Sequence, residues 1–143
     1  MAPIIGCKAR KSRLKAMTLI ELLVVVTIVA ILASFAYPTY QAQVITSSRT
    51  LALSDLSRIQ LYLENEYKGG YSSPRDAIMS GGNCQLCQSN HNEYLITISI
   101  SSNGYSISAD PLGKQENDIC LNSINDIITL DHSGQGRPEA CWK

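Results

Sequence analysis

The longest apolar pattern occupies residues 17–37, MTLIELLVVVTIVAILASFAY, where one carboxylate, Glu21, interrupts otherwise uncharged sequence. As a helix at about 1.5 Å per residue this run reaches roughly 31 Å, enough to cross a hydrocarbon core of ~30 Å. The pattern then changes rather than ends. Residues 41–67 contain neither proline nor glycine, and Ala52, Leu56, Ile59 and Leu63 recur at helical spacing, with Ser54, Asp55, Ser57 and Arg58 on the opposite, polar side. This is one stripe of an amphipathic helix, read as ordinary core packing. A single helix of about fifty residues is predicted, apolar over 17–40 and amphipathic over 41–68, closed by KGGY at 68–71. Pro38 cannot bond the preceding turn, so a kink or local melting is expected near Ser34.

Beyond the helix, periodicity shortens. Residues 71–92 carry the turn-rich stretches SSPRD, SGGNC and SNHN and read as a loop, with a short helix near 74–79. Ile96, Ile98 and Ile100 then alternate with Thr97, Ser99 and Ser101; Asn103-Gly104 forms a turn, and Tyr105, Ile107 and Ala109 resume the alternation. That is a β-hairpin. A third strand is expected over 124–131, then an SGQGRP loop and the ACWK end. A long helix on a small antiparallel meander is an α+β fold, with residues 69–143 as its globular head.

A chain of 143 residues has room for one domain, and the part beyond Tyr40 builds only a small core. The formal charge of zero hides an asymmetry: Lys8, Arg10, Lys11, Arg13 and Lys15 all precede the apolar run. With these set aside, seven of the 12 Lys and Arg remain against 12 Asp and Glu, an acidic excess of about five. An acidic body argues against broad phosphate-backbone binding. A basic arm before an apolar segment places the arm in the cytoplasm. A secretory signal fits poorly, because the run exceeds a typical apolar core and no A-x-A site follows. The IIGC at 4–7 resembles a lipobox but lacks an apolar segment before it. A translation start at Met17 stays open, although the density of positive charge favours a genuine arm.

Glu21 needs a partner. An unpaired charge in hydrocarbon costs about 2.5–3.5 kcal/mol on insertion scales. A cut before Met17 would place a new α-amino group four positions from Glu21, and a neighbouring chain's amine could then neutralise the carboxylate and set the register between helices. On these residues the chain resembles the type IV pilins: A-M-T-L-I-E-L-L-V-V-V-T-I-V-A-I-L-A with Y-P-T-Y downstream looks like their class III signal. The resemblance implies that residues 1–16 are a leader removed by a prepilin peptidase between Ala16 and Met17, and that Met17 is N-methylated. It also implies that Thr18 and Glu21 serve assembly and that Pro38 kinks the helix. The family normally has glycine before the cut; Ala16, the nearest residue in size, stands there instead. Downstream, Y-S-I-S-A-D-P-L-G-K-Q-E-N-D-I-C, then I-I-T-L-D-H-S-G-Q-G and a closing C-W, are similar to small minor pilins.

Cys7 lies in the arm, whereas Cys84, Cys87, Cys120 and Cys141 lie in the body, an even set suited to an oxidising compartment. Four cysteines allow three pairings. A Cys120–Cys141 bridge would staple the C-terminal tail to the sheet, contributing ~3 kcal/mol, and the resemblance implies the same bridge. For Cys84 and Cys87 a small local disulfide outweighs a redox or zinc motif, since no βαβ context or second ligand pair is visible. A crossed pairing stays open. His91 and His132 sit alone in polar turns, and no catalytic set, metal site or cofactor loop stands out. The chain therefore reads as a structural subunit, not an enzyme, and calls for no cofactor.

The resemblance implies an inner-membrane precursor with a cytoplasmic leader and periplasmic head, later part of an extracellular pilus of a Gram-negative bacterium. Its partners would be other pilin subunits, the peptidase and the inner-membrane assembly machinery. Filament assembly, twitching motility, adhesion and DNA uptake are the associated roles. Two alternatives stand beside it. One is a DNA-receptor pilin, disfavoured because Arg49, Arg58, Lys68, Arg75, Lys114, Arg137 and Lys143 are scattered. The other is a type II secretion pseudopilin, disfavoured by the body cysteines and the Cys-Trp end.

Overall fold

A computed structural model describes residues 17–123 and 126–143. The chain divides into two compact units, Met1–Tyr37 and Pro38–Lys143. Helix α1 spans Leu19–Asn65 and contains Pro38. It remains α-helical on both sides of that proline, so of the kink or local melting expected near Ser34 the melting does not occur, and Ser34 Oγ donates to the Ile31 carbonyl at 2.7 Å. Met17 to Tyr40 are exposed throughout. The helix is long and apolar enough to cross a membrane.

In the second unit α1 provides one wall of the core. Ala52, Leu56, Ile59 and Leu63 are each 0% exposed, as the periodicity predicts. They face a four-stranded antiparallel sheet in the order β3-β4-β5-β6: β3 Tyr94–Ser101, β4 Gly104–Pro111, β5 Ile128–Asp131 and β6 Gly136–Arg137. Tyr94, Ile96 and Ile98 from β3, Tyr105, Ile107 and Ala109 from β4, and Ile128 and Leu130 from β5 close the core from the sheet side. Strand alternation drives this, because every second side chain must leave water together.

Four local features differ from the sequence reading. The hairpin turn is Ser102-Asn103, one residue earlier than expected, because Gly104 already pairs with Ser101. At φ +142, with a Cβ that would lie 2.5 Å from His132, Gly104 accepts no larger residue without displacing that ring. The third strand starts at Ile128 rather than 124; positions 124 and 125 of that expectation lie outside the described residues. The GR of SGQGRP forms the edge strand β6, followed by a 3-10 turn at Glu139–Trp142. Before the sheet, the short helix expected near 74–79 is present as α2 (Ser72–Ile78), but it leads into a two-stranded ribbon, β1 Met79–Ser80 against β2 Asn83–Cys84, where a loop was expected.

Candidate functional site

At its start α1 builds its own cap. The Glu21 backbone N–H donates to Thr18 Oγ1 at 3.3 Å, and the Leu22 N–H to the Thr18 carbonyl at 3.2 Å. Thr18 thus takes the N-cap position with Glu21 three residues on, the spacing of a capping box. Glu21 also sits in the first turn, where a negative charge suits the helix dipole.

On the head, two acidic residues tie α1 to the loops that carry the disulfides. Asp55, placed on the polar face by periodicity, is only 1% exposed. Its carboxylate accepts the Gln88 N–H at 2.9 Å and the Ser89 N–H at 2.7 Å, while Arg58 approaches it at 3.6 Å and donates to the Leu86 carbonyl at 3.1 Å. These bonds clasp the segment holding the Cys84–Cys87 disulfide, whose Cα atoms lie 5.4 Å apart. Lower on the helix, Arg49 pairs with the buried Asp118, whose Oδ1 also accepts the Cys120 N–H at 3.1 Å. Cys120 is joined to Cys141 with Cα atoms 4.9 Å apart. Asp55 and Asp118 are the positions that sequence reasoning missed. Only a pairing between a helix and a loop far along the chain distinguishes them from solvated acids.

At the other end of the helix the Tyr105 hydroxyl donates to Glu64 at 2.6 Å, and Tyr71 reaches the same carboxylate at 3.3 Å. Burial first, then the bond to Glu64, push the Tyr105 hydroxyl well above its ordinary range. Burial, followed by the nearby Asp118 charge, pushes Tyr94 up to about 12. Both tyrosines keep their protons in the folded chain after the unfolded chain has released them. Their contribution is therefore complete below pH ~10 and is lost as pH rises towards the folded values. We expect stability to fall above pH ~10 by about 1.4 kcal/mol per pH unit for each tyrosine still protonated in the fold. Tyr105→Phe should flatten that fall, as read by melts across the range alongside the tyrosinate absorbance titration.

His91 and His132 are exposed, and no cluster of His, Cys, Asp or Glu suited to a metal occurs among the described residues. Arg49 and Arg58 are committed to acidic partners. Lys68 and Arg75 form exposed pairs with Glu66 and Asp76 at 3.8 and 2.7 Å, whereas Lys114, Arg137 and Lys143 have no acidic partner among the described residues.

No curated protein and no solved structure matches the chain. Two family models do. The prokaryotic N-terminal methylation motif matches residues 11–37, which include Thr18 and Glu21. The model described as the type IV minor pilin ComP, DNA uptake sequence receptor, matches residues 38–124, from the proline of α1 through the sheet hairpin to just beyond Cys120. That stretch is more than half of the chain and carries the clasped helix and the β3–β4 hairpin. An apolar N-terminal helix under a methylation motif and a disulfide-braced α+β head thus converge: the chain belongs to the ComP family of type IV minor pilins, structural subunits of the pilus filament.

Proposed function

We propose that this minor pilin is anchored in the inner membrane of a Gram-negative bacterium, with its leader cytoplasmic and its head periplasmic. A prepilin peptidase cuts between Ala16 and Met17 and methylates Met17; the inner-membrane assembly machinery then draws the chain into a pilus. There its head binds DNA for uptake. The match of residues 38–124 to a model described as a DNA uptake sequence receptor carries this reading and raises DNA above its rank from charge alone. The same match favours the pilus over a secretion pseudopilin. Within the filament, apolar helices replace lipid contacts with one another, Glu21 meets a neighbour's amine, and Pro38 is the bending point. The braced loops of the head remain outside.

The charge distribution sets what DNA binding should look like. With Arg49 and Arg58 committed to Asp118 and Asp55, three to five cations remain: Lys114, Arg137 and Lys143, plus Lys68 and Arg75, whose exposed pairs hold them only weakly. Each phosphate contact contributes about −0.9 to the slope of log K against log salt. For the full chain in detergent with duplex DNA we expect a slope of about −2.7 to −4.5, far shallower than that of a broadly basic binder. Glutamine at Lys114, Arg137 and Lys143 together should remove most of it. Absence of binding at low salt would exclude the receptor role while leaving pilin membership intact.

A further inference from the structure

The α1–α2 junction and the β3–β4 turn enclose an open cleft of about 470 Å³, within the ~300–1,000 Å³ usual for small-molecule sites. We propose that this cleft binds a neutral saccharide, such as the terminal sugar of a surface glycan. The proposal goes beyond the DNA reading and does not depend on it.

The floor is aromatic and held in place. Tyr67 and Tyr71 rings lie 4.7 Å apart, and Tyr71 meets Tyr105 edge-on at 4.6 Å. Hydrogen bonds to Glu64 restrain Tyr71 and Tyr105 from behind, while Tyr67 stays 51% exposed at the rim. A pyranose ring has a face of C–H groups that suits such a surface, and hydroxyls that must be bonded around its edge. The rim supplies those bonds: Ser72, Ser102, Asn103 and His132 line the cleft, and their side chains have no hydrogen-bond partner among the described residues. The charge selects against phosphate. No Lys or Arg lines the cleft, the Glu64 carboxylate holds Tyr71, and the adjoining Lys68 is paired with Glu66 at 3.8 Å. A phosphorylated ligand would find no cation among the lining side chains, whereas a neutral polyol requires none.

Gly70 also lines the cleft and offers a test that spares the fold. A Cβ added there meets nothing within 4 Å, and its φ lies outside the left-handed region. A leucine at this position should therefore fill the cleft without straining the chain.

The test uses the full chain in a polyoxyethylene detergent, which carries no sugar. Methyl glycosides of glucose, galactose and N-acetylglucosamine are offered one at a time, with saturation-transfer NMR as readout. We expect transfer to the C–H protons of at least one glycoside. It should be lost, or weakened tenfold or more, in Gly70→Leu and in Tyr67→Ala, with melting temperatures unchanged. No transfer from any of the three at millimolar concentration would overturn the proposal, as would transfer that both variants leave intact. Deoxyadenosine displacing the sugar from the same cleft with higher affinity would also overturn it, reassigning the aromatic floor to a nucleobase. None of these outcomes bears on pilin membership or on the salt slope of DNA binding.

Discussion

Asp55→Ala should lower the stability of the head by about 3 kcal/mol, more than truncation of any exposed residue on α1. The carboxylate is 1% exposed and accepts two loop N–H groups, at 2.9 Å from Gln88 and 2.7 Å from Ser89. Hydrogen bonds to a charged group contribute about 1.5–3 kcal/mol each, and a buried donor left without an acceptor costs a further ~1–3 kcal/mol. The upper end of that range is not reached, because Gln88 is exposed and the loop can turn part of its backbone to water. Arg58, with its side chain 40% exposed, simply re-solvates when its partner is gone. For a unit of this size about 3 kcal/mol corresponds to a fall in Tm of roughly 12–24 °C. Trp142, the one tryptophan of the chain, packs over Gly136 and gives a fluorescence readout of the melt. Asp55→Asn keeps one acceptor oxygen and should lose about half as much. A Tm for Asp55→Ala within ~2 °C of the parent would mean that the clasp contributes nothing net.

This clasp also shows where the sequence was legible and where it was not. Ala52, Leu56, Ile59 and Leu63 announce themselves because helical period and hydrophobicity agree, and all four are fully buried. Ile96 and Ile98 against Ile107 and Ala109 follow the same logic at the strand period. Asp55 fails it for a physical reason. A carboxylate beside an apolar stripe is ordinarily solvated, and its burial depends on backbone donors thirty-three residues away that no local pattern encodes. The ribbon Met79–Ser80 with Asn83–Cys84 was hidden because two-residue strands have no alternation to detect. β6 was hidden for the same reason, its Gly136 accepted in the sheet because the Trp142 ring occupies the space a side chain would need.

The functional surface was legible in its chemistry and opaque in its geometry. The seven cations of the body can be counted from the sequence, and they look equivalent there. Only the fold separates Arg49 and Arg58, consumed by buried acids, from Lys114, Arg137 and Lys143. The tyrosines behave alike. Tyr67, Tyr71 and Tyr105 are spread along the chain, yet the fold stacks them together, with Tyr67 and Tyr71 lining one cleft and the buried Tyr105 packed behind Tyr71.

Glu21→Leu is expected to reduce incorporation into pili by about 100-fold while leaving the leader cut intact. An uncompensated carboxylate in hydrocarbon costs about 2.5–3.5 kcal/mol. If a neighbour's amine relieves that cost on docking, the preference for the filament is of order a hundredfold and disappears with the carboxylate. A purely local role predicts far less. Glu21 lies one turn into a helix that Thr18 already caps, and a charge at that position contributes only about 0.3–1 kcal/mol through the helix dipole. Glu21→Gln separates the two, because it preserves shape and loses only charge: register pairing predicts a defect close to that of leucine, a local role a marginal one. Mass spectrometry of membranes and sheared pili from each strain reads both steps. The mature N-terminus at Met17 should appear in membranes for all variants, and in pili only where the carboxylate is kept. Equal incorporation of Glu21→Gln and the parent chain would place the register elsewhere on the helix.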